Sequence, residues 1–286
     1  MRTITKTKMT SNEIGRLALE AMLLEVSATP KPGLVDRNNS GAHDDMNFTT
    51  FMKSAASLAG SFVEFSEEGF RGGRDKIPPS EVFPNVRKIG VAAEKNMFLA
   101  TEGINTHKGE MFSLGLLSSC AGYLEGSGSE VTADGVMRLA GEMCGGICER
   151  DFSGVKDKSP DCLTKGERVF LEHGITGIRG EAEAGYPTVR NVSLPALGEY
   201  LSEGLSVNDA MSMTLIHIMA NAHDTNIISR HDIKTAQEVM RTAGEMIESG
   251  FGLEDIRRLD DDFIERWISP GGSGDLLAVT YFVHSL

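Results

Sequence analysis

Five segments of the chain gather side chains able to grip phosphate, hold a divalent cation or move a proton. The first runs from Thr29 to Asp45 and carries Lys31, Asp36, Arg37, His43 and Asp44. Its two prolines, Pro30 and Pro32, fix the backbone around charges of both signs. The second is Gly103-Ile104-Asn105-Thr106-His107-Lys108-Gly109, which leads into a helix whose first amides can face an anion. Lys108 adds a point charge for a phosphate, and His107 has the chemistry of a proton donor or acceptor near neutral pH. The third, Gly177 to Pro187, sets Glu181 and Glu183 beside Arg179. Carboxylates two residues apart diverge on a helix, so only an irregular backbone would bring both to one ligand. The fourth is Asn221 to Asn226 with Arg230 beyond it, where Asp224 and Asn226 offer oxygen ligands of the kind magnesium takes. The fifth, Ser269-Pro270-Gly271-Gly272-Ser273-Gly274-Asp275, has glycines that admit a phosphate close to the backbone.

Each segment also has a purely structural reading: a rigid proline turn, an N-cap at Asn105 or Thr106, a helix cap at Asp224, a flexible glycine turn. Most loops are not sites, although most sites lie on loops. Other signals are weaker. Cys144 and Cys148 have i, i+4 spacing without a second pair at zinc spacing, which fits burial better than metal. Asp260, Asp261 and Asp262 read as a solvated helix face. The chain has no phosphate-binding glycine-lysine loop after a strand, no dinucleotide fingerprint and no metalloprotease histidine pair.

Helices must position these segments, because three-four apolar spacing recurs from end to end. Thr10 and Glu13 form a capping-box pair ahead of a stripe through Ile14, Leu17, Ala18, Ala21, Met22 and Glu25, which predicts a helix to about Ala28. Phe48 to Val63 repeats the spacing, with Asp44 or Asp45 placed to cap it, and Gly69 to Pro79 reads as a surface loop. Further helices are expected over Val82–Leu99, Lys108–Gly122, Thr132–Cys148, Thr164–Glu172, Pro195 to about Gly204, Ser206–Asn221, Ile233–Ser249, Glu254–Trp267 and Asp275–His284. Period-two alternation bounded by turns is lacking. The expected fold is an all-α, multi-helix globular bundle forming one domain over residues 1–286, with polar inter-helix loops forming the site.

Bulk properties narrow the partners. The 286 residues carry a formal charge of −13, which argues against nucleic acid or an anionic membrane, since both need a basic surface. The longest apolar runs fall short of the roughly 20 residues a bilayer crossing needs. Four cysteines and the lack of a recognisable leader point to a reducing cytoplasm.

Taken in order, the segments resemble the triphosphoribosyl-dephospho-CoA synthase family, over roughly Glu20 to Leu277. The likeness rests on TPKPGLVD from Thr29, GAHDDM from Gly41, NTHKG from Asn105, RGEAEAGYP from Arg179, DTN from Asp224 with Arg230 following, and SPGGSGDLL from Ser269. It implies a helical, cytoplasmic, magnesium-dependent transferase that joins the triphosphoribosyl part of ATP to dephospho-CoA and releases adenine. The product would pass to a carrier-protein-modifying transferase, supplying the prosthetic group of citrate lyase or malonate decarboxylase. Subunit number stays open, a homodimer included. On this resemblance Lys31, Lys108, Arg179 and Arg230 contact phosphates, with Gly271, Gly272 and Ser273 as backbone and hydroxyl donors. Arg37, Asn105, Thr106, Asn226 and Asp275 complete the substrate contacts. Asp36, Asp44 and Asp224 are candidates for magnesium or for stabilising an oxocarbenium ion, Glu181 and Glu183 for metal or general base, and His43 and His107 for proton transfer. Three departures, His231-Asp232, Gly177-Ile178 and Gly274, bear on loop geometry and acceptor choice. A magnesium-dependent N-glycosidase or ADP-ribosyl hydrolase, and a non-catalytic nucleotide-binding helical module, are the competing readings.

Overall fold

The protein is described here by a computed structural model covering residues 8–286; the start of the expected domain, and part of the stretch read as free of a leader, lie outside the described residues. Among the described residues the regular elements are all helical, in keeping with the all-α expectation. In chain order they are α1 (Ser11–Ser27), α2 (Phe48–Arg74), α3 (Pro79–Ala100), α4 (Lys108–Ser127), α5 (Ala133–Cys144), α6 (Ile147–Phe152), α7 (Lys165–His173), α8 (Ile178–Glu183), α9 (Leu194–Ser202), α10 (Val207–Asn221), α11 (Thr225–Arg230), α12 (Ile233–Ser249), α13 (Leu253–Glu265) and α14 (Gly271–His284). A π-helical turn, Val189–Ser193, precedes α9.

The caps explain many of these boundaries. Thr10 and Glu13 close a reciprocal capping box on α1, and Thr164 and Glu167 do the same for α7. Ser206 caps α10 and Asp232 caps α12, each through its side-chain oxygen. Asn47, rather than Asp44 or Asp45, caps α2: its side chain accepts from the Thr50 amide, one turn too late in the chain for either aspartate to reach.

The expected loop at Gly69 to Pro79 is mostly helix, since α2 continues to Arg74. Its glycines are a contact surface. A methyl group on Gly69 would enter the Ser119 carbonyl oxygen and one on Gly73 that of Tyr123, while α4 answers with Gly122 against Ser66 and Gly126 against Phe70. Glycine therefore lets the α2 and α4 backbones approach where any side chain would hold them apart. The helix expected over Thr132–Cys148 breaks at Gly145-Gly146, giving α5 and α6. Three segments read as polar connections are partly helical: α8, α11 and the first turn of α14, which begins at Gly271 and not at Asp275.

One apolar core runs from Ile14 on α1 to Val283 on α14, with α4, α10 and α14 contributing continuous buried stretches such as Leu114–Cys120, Ala210–Ile216 and Leu276–Val279. Helices apolar on every side occupy the centre of a bundle. Their ends, and the polar segments attached to them, are thereby fixed at one end of that core.

Candidate active site

A cleft of about 1040 Å³ opens where the loop after α1 meets the starts of α4, α7, α8, α11 and α14. Because side chains and amides at a helix start face the incoming chain, five N-terminal ends with their partial positive charge border one space. All five polar segments send residues into it: Lys31, His43 and Asp44; Asn105, Thr106 and Lys108; Arg179 and Glu181; Asp224, Asn226 and Arg230; Gly271, Gly272 and Asp275. Asp36, Arg37, His107, Glu183 and Ser273 do not line it.

The residues outside the lining have visible occupations. One oxygen of Asp36 accepts from the amides of Asn38 (2.6 Å) and Asn39 (3.0 Å), and the other from the Lys31 amide (3.3 Å), so its carboxylate shapes the proline loop. Arg37 ties that loop to α1 and α10 through the Ser27 carbonyl and Asn208. Glu183 accepts from the amides of Gly146 and Cys148 at the start of α6, and the Cys148 thiol bond together with those amides holds its carboxyl below the usual range. Glu181 and Glu183 thus diverge, as two positions on the helix α8 must. Ser273 is buried and donates from its amide (2.8 Å) and hydroxyl (3.0 Å) to Asp224.

Asp224 is a clasp. One oxygen caps α11 at the amides of Asn226 and Ile227 while the other takes both Ser273 donors, joining α11 to the first turn of α14. Burial raises its carboxyl above the ordinary value, opposed by those hydrogen bonds. Glycine at 271 lets the α14 backbone approach the Asn226 amide, which a Cβ there would strike, and glycine at 272 sets it closely against Asp224. Glu181 is also raised by burial and accepts from the Thr188 hydroxyl at 2.6 Å.

The rim is cationic and each cation is lightly held. Lys108 reaches Glu94 at 2.6 Å and remains about half exposed; Arg179 pairs with Asp151 at 2.8 Å beside the Phe152 ring; Arg230 donates to the Ala42 carbonyl at 2.7 Å and lies against His43. Lys165 at the start of α7 also lines the cleft. A largely exposed pair such as Lys108–Glu94 is worth at most about 1 kcal/mol, so Lys108 can turn to an anionic ligand at little cost. His43 bonds the Ser269 hydroxyl at 2.8 Å, and burial followed by the Arg230 charge lowers its pKa.

The floor is acidic, and here the sequence reading missed two residues. Glu25 of α1 and Glu110 of α4 line the cleft beside Asp275. Lys31, 1% exposed, gives its ammonium to Glu25 at 2.6 Å and so belongs to the floor, not the rim. Asp275 accepts from the Glu110 amide, packed so tightly over Gly109 that no Cβ could stand there. Its carboxyl lies well above the ordinary value, first through burial and then through the charges of Asp224 and Glu25. Glu110, 2% exposed, is pushed up by burial and by Glu25 and Asp275, with Lys31 opposing. His107 lies behind it, wholly buried and lowered to about 3 by burial and by Lys31. A signal for Glu25 existed in the chain: a carboxylate on an otherwise apolar stripe demands a partner, and Lys31 follows six residues later.

Comparison with known proteins agrees with this architecture. The model of the ATP:dephospho-CoA triphosphoribosyl transferase family (CitG) matches residues 11–286. A 2-(5''-triphosphoribosyl)-3'-dephosphocoenzyme-A synthase from Klebsiella pneumoniae is 38% identical over 282 residues, covering 96% of this chain and 91% of that one. One from Escherichia fergusonii is 38% identical over 275 residues, covering 94% and 89%. A crystal structure from Archaeoglobus fulgidus, assigned provisionally as triphosphoribosyl-dephospho-CoA synthase, superposes with a TM-score of 0.50 at 17% identity, over 80% of this chain and 97% of that one, and speaks for the fold alone. With a near full-length family match and relatives this similar, the chain belongs to the ATP:dephospho-CoA triphosphoribosyl transferase family.

Proposed function

We propose that the cleft transfers the triphosphoribosyl group of ATP to a ribose hydroxyl of dephospho-CoA and releases adenine. One observation carries the reading: a rim of lightly held cations and helix starts stands above a floor of buried carboxylates. A triphosphate is drawn to the rim, where Lys108, Arg179, Arg230 and the first amides of the longer helices α4 and α7 face it. The floor has no spare cation for a phosphate, Lys31 being bound to Glu25, which directs the uncharged base and the anomeric carbon downward. There the transition state is oxocarbenium-like, so its positive charge grows beside carboxyl oxygens already in place. In the same step the acceptor oxygen bonds to the anomeric carbon, the bond from that carbon to adenine breaks with its electron pair passing to the base, and no phosphoanhydride is cut.

Magnesium fits this cleft as a partner of the triphosphate. Among the described residues no three histidine, cysteine, aspartate or glutamate side chains form a ready metal cage. Magnesium commonly needs only one or two carboxylates together with substrate phosphates. Asp44, exposed on the rim with no hydrogen bond to its carboxylate among the described residues, is free to serve; Asp36, Glu181, Glu183 and Asp224 spend their oxygens on protein donors. Bound there, the ion would neutralise phosphate charge and fix the triphosphate's position.

On this reading the chain works as one domain in the cytoplasm, supported by a single continuous core and four free cysteines, and its product goes to a transferase that modifies a carrier protein. No helix among the described residues is long and apolar enough to cross a membrane. Mass analysis after mixing the purified protein with ATP, magnesium and dephospho-CoA tests donor, acceptor and leaving group together. Triphosphoribosyl-dephospho-CoA and adenine in equal amounts are expected, with no adenine when dephospho-CoA is omitted. Adenine released without acceptor would instead favour an N-glycosidase.

A further inference from the structure

A buried chain of polar groups runs beneath the cleft and reaches it at both ends. The Thr106 hydroxyl, on the rim, donates to Ser54 Oγ at 2.7 Å, and Ser54 Oγ lies 2.7 Å from Nδ1 of His107. With Ser54 accepting from Thr106 and donating to Nδ1, the neutral imidazole carries its proton on Nε2. That nitrogen faces Glu110 Oε2 at 3.8 Å and has no other partner; Glu110 Oε1 has none either, although the residue is 2% exposed and lines the cleft. Buried polar atoms are rarely left unmatched, and a catalytic role is one of the reasons they persist where two lie side by side against a cleft.

The surroundings select the role. The groups facing Glu110 are Glu25 from α1, Lys31 from the proline loop, His107 from the loop before α4 and Asp275 from α14. The one cation among them is bound to Glu25, leaving Glu110 without a counter-ion of its own. A carboxyl so placed holds its proton to higher pH than an exposed one, the direction a general acid needs. Phe51, which lines the cleft, packs edge-on against the His107 ring with centroids 4.7 Å apart, so an aromatic surface on which a purine can lie stands next to that acid.

We propose that Glu110 is the proton donor to the departing adenine, and that His107, held by Ser54, is a positioning residue that aims it. This rests on the transferase reading of the same cleft. As the bond between the ribose carbon and the base breaks, the base keeps the electron pair and takes the proton from Glu110. The proton lost by the acceptor hydroxyl then restores the acid, so one proton moves from hydroxyl to adenine per turnover.

The test compares ATP with its N7-methylated analogue, whose base already carries positive charge and leaves without further protonation. In the wild type, kcat with ATP should fall on the alkaline side as Glu110 loses its proton, whereas the methylated analogue should show no such fall. Glu110→Gln should lose about a hundredfold or more of kcat with ATP at nearly unchanged KM, and recover most of it with the analogue. His107→Asn should lower kcat with ATP by a smaller factor, leave KM alone and recover with the analogue too. Equal losses on both substrates, an unchanged kcat in Glu110→Gln, or the same alkaline fall with both substrates in the wild type would overturn the assignment. The wild-type comparison decides the matter even should the glutamine variant not fold. A wild type that releases no adenine with dephospho-CoA present would sink the transferase reading itself, a result distinct from these.

Discussion

Glu110 and His107 titrate in opposite senses, which makes their burial measurable as stability. The folded His107 is lowered from 6.5 to about 3, so the folded state refuses a proton that the unfolded chain accepts, and acidification from 6.5 toward 3 costs stability. The folded Glu110 and Asp275 are raised, so their contribution is complete below the ordinary carboxylate value and is lost as pH rises through the raised one. Above 6.5 the His107 contribution is complete and adds no slope, so the raised carboxyls set the trend, and the melting temperature should decline as pH rises toward their raised values. Glu110→Gln should make that decline shallower while abolishing rapid turnover; an unchanged slope in a melting series from pH 6.5 to 9 would contradict its place in the acidic floor. His107→Asn should lessen the loss on the acid side. The residue scale also shows what sequence could and could not reveal. The motifs delivered Lys108, Arg179, Asp224 and Arg230 to one cleft, because polar side chains at helix starts are conspicuous in a row of letters. Glu110 escaped because it is a single acid within a helical pattern, where only packing distinguishes a buried carboxylate from a solvated one, while Glu25 was signalled only by its place on an apolar stripe.

Helix boundaries were legible at the capped starts Thr10, Thr164 and Ser206, though the α2 cap lies at Asn47 and not at the expected aspartates. They were not legible at α8 and α11, whose six residues are too few to display a period. Glycine was ambiguous: the Gly69–Gly73 run punctuates a sequence, yet in the fold it joins α2 to α4. A paired substitution separates the two meanings. Gly122→Ala, where a methyl meets the Ser66 carbonyl, should cost about 1–3 kcal/mol. Gly60→Ala, on the facing helix α2 with nothing within 4 Å of the new atom, should gain about 1 kcal/mol from helix propensity alone. Denaturant midpoints check both, and similar effects at the two sites would refute the close-approach account. Asp224 belongs to this scale as well, since it fastens α11 to α14. Asp224→Ala leaves the buried donors of Ser273 unmet and should cost about 1–3 kcal/mol. Adenine release should fall with it as the first turn of α14 loosens; full activity in a destabilised variant would confine the clasp to folding.

Across the whole molecule, the charge of −13 and a polyphosphate ligand are reconciled by placement. Cations and helix starts collect around one opening, while a carboxyl-lined floor whose one cation is already bound lies beneath it. That separation could not be read from composition, which sums charges regardless of where the bundle puts them. On the proposed reading it also gives the bound nucleotide a direction, with the triphosphate at the rim between Asp44 and Arg230 and adenine toward Phe51 and Glu110. A crystal structure with ATP and dephospho-CoA bound measures this directly. The account predicts a base nitrogen of adenine within hydrogen-bond reach of the Glu110 carboxyl and the phosphates against Lys108, Arg179 or Arg230. Phosphates seated on the floor beside Glu25 and Asp275, or a nucleotide bound on another face such as that of Val91 and Leu99 on α3, would contradict it.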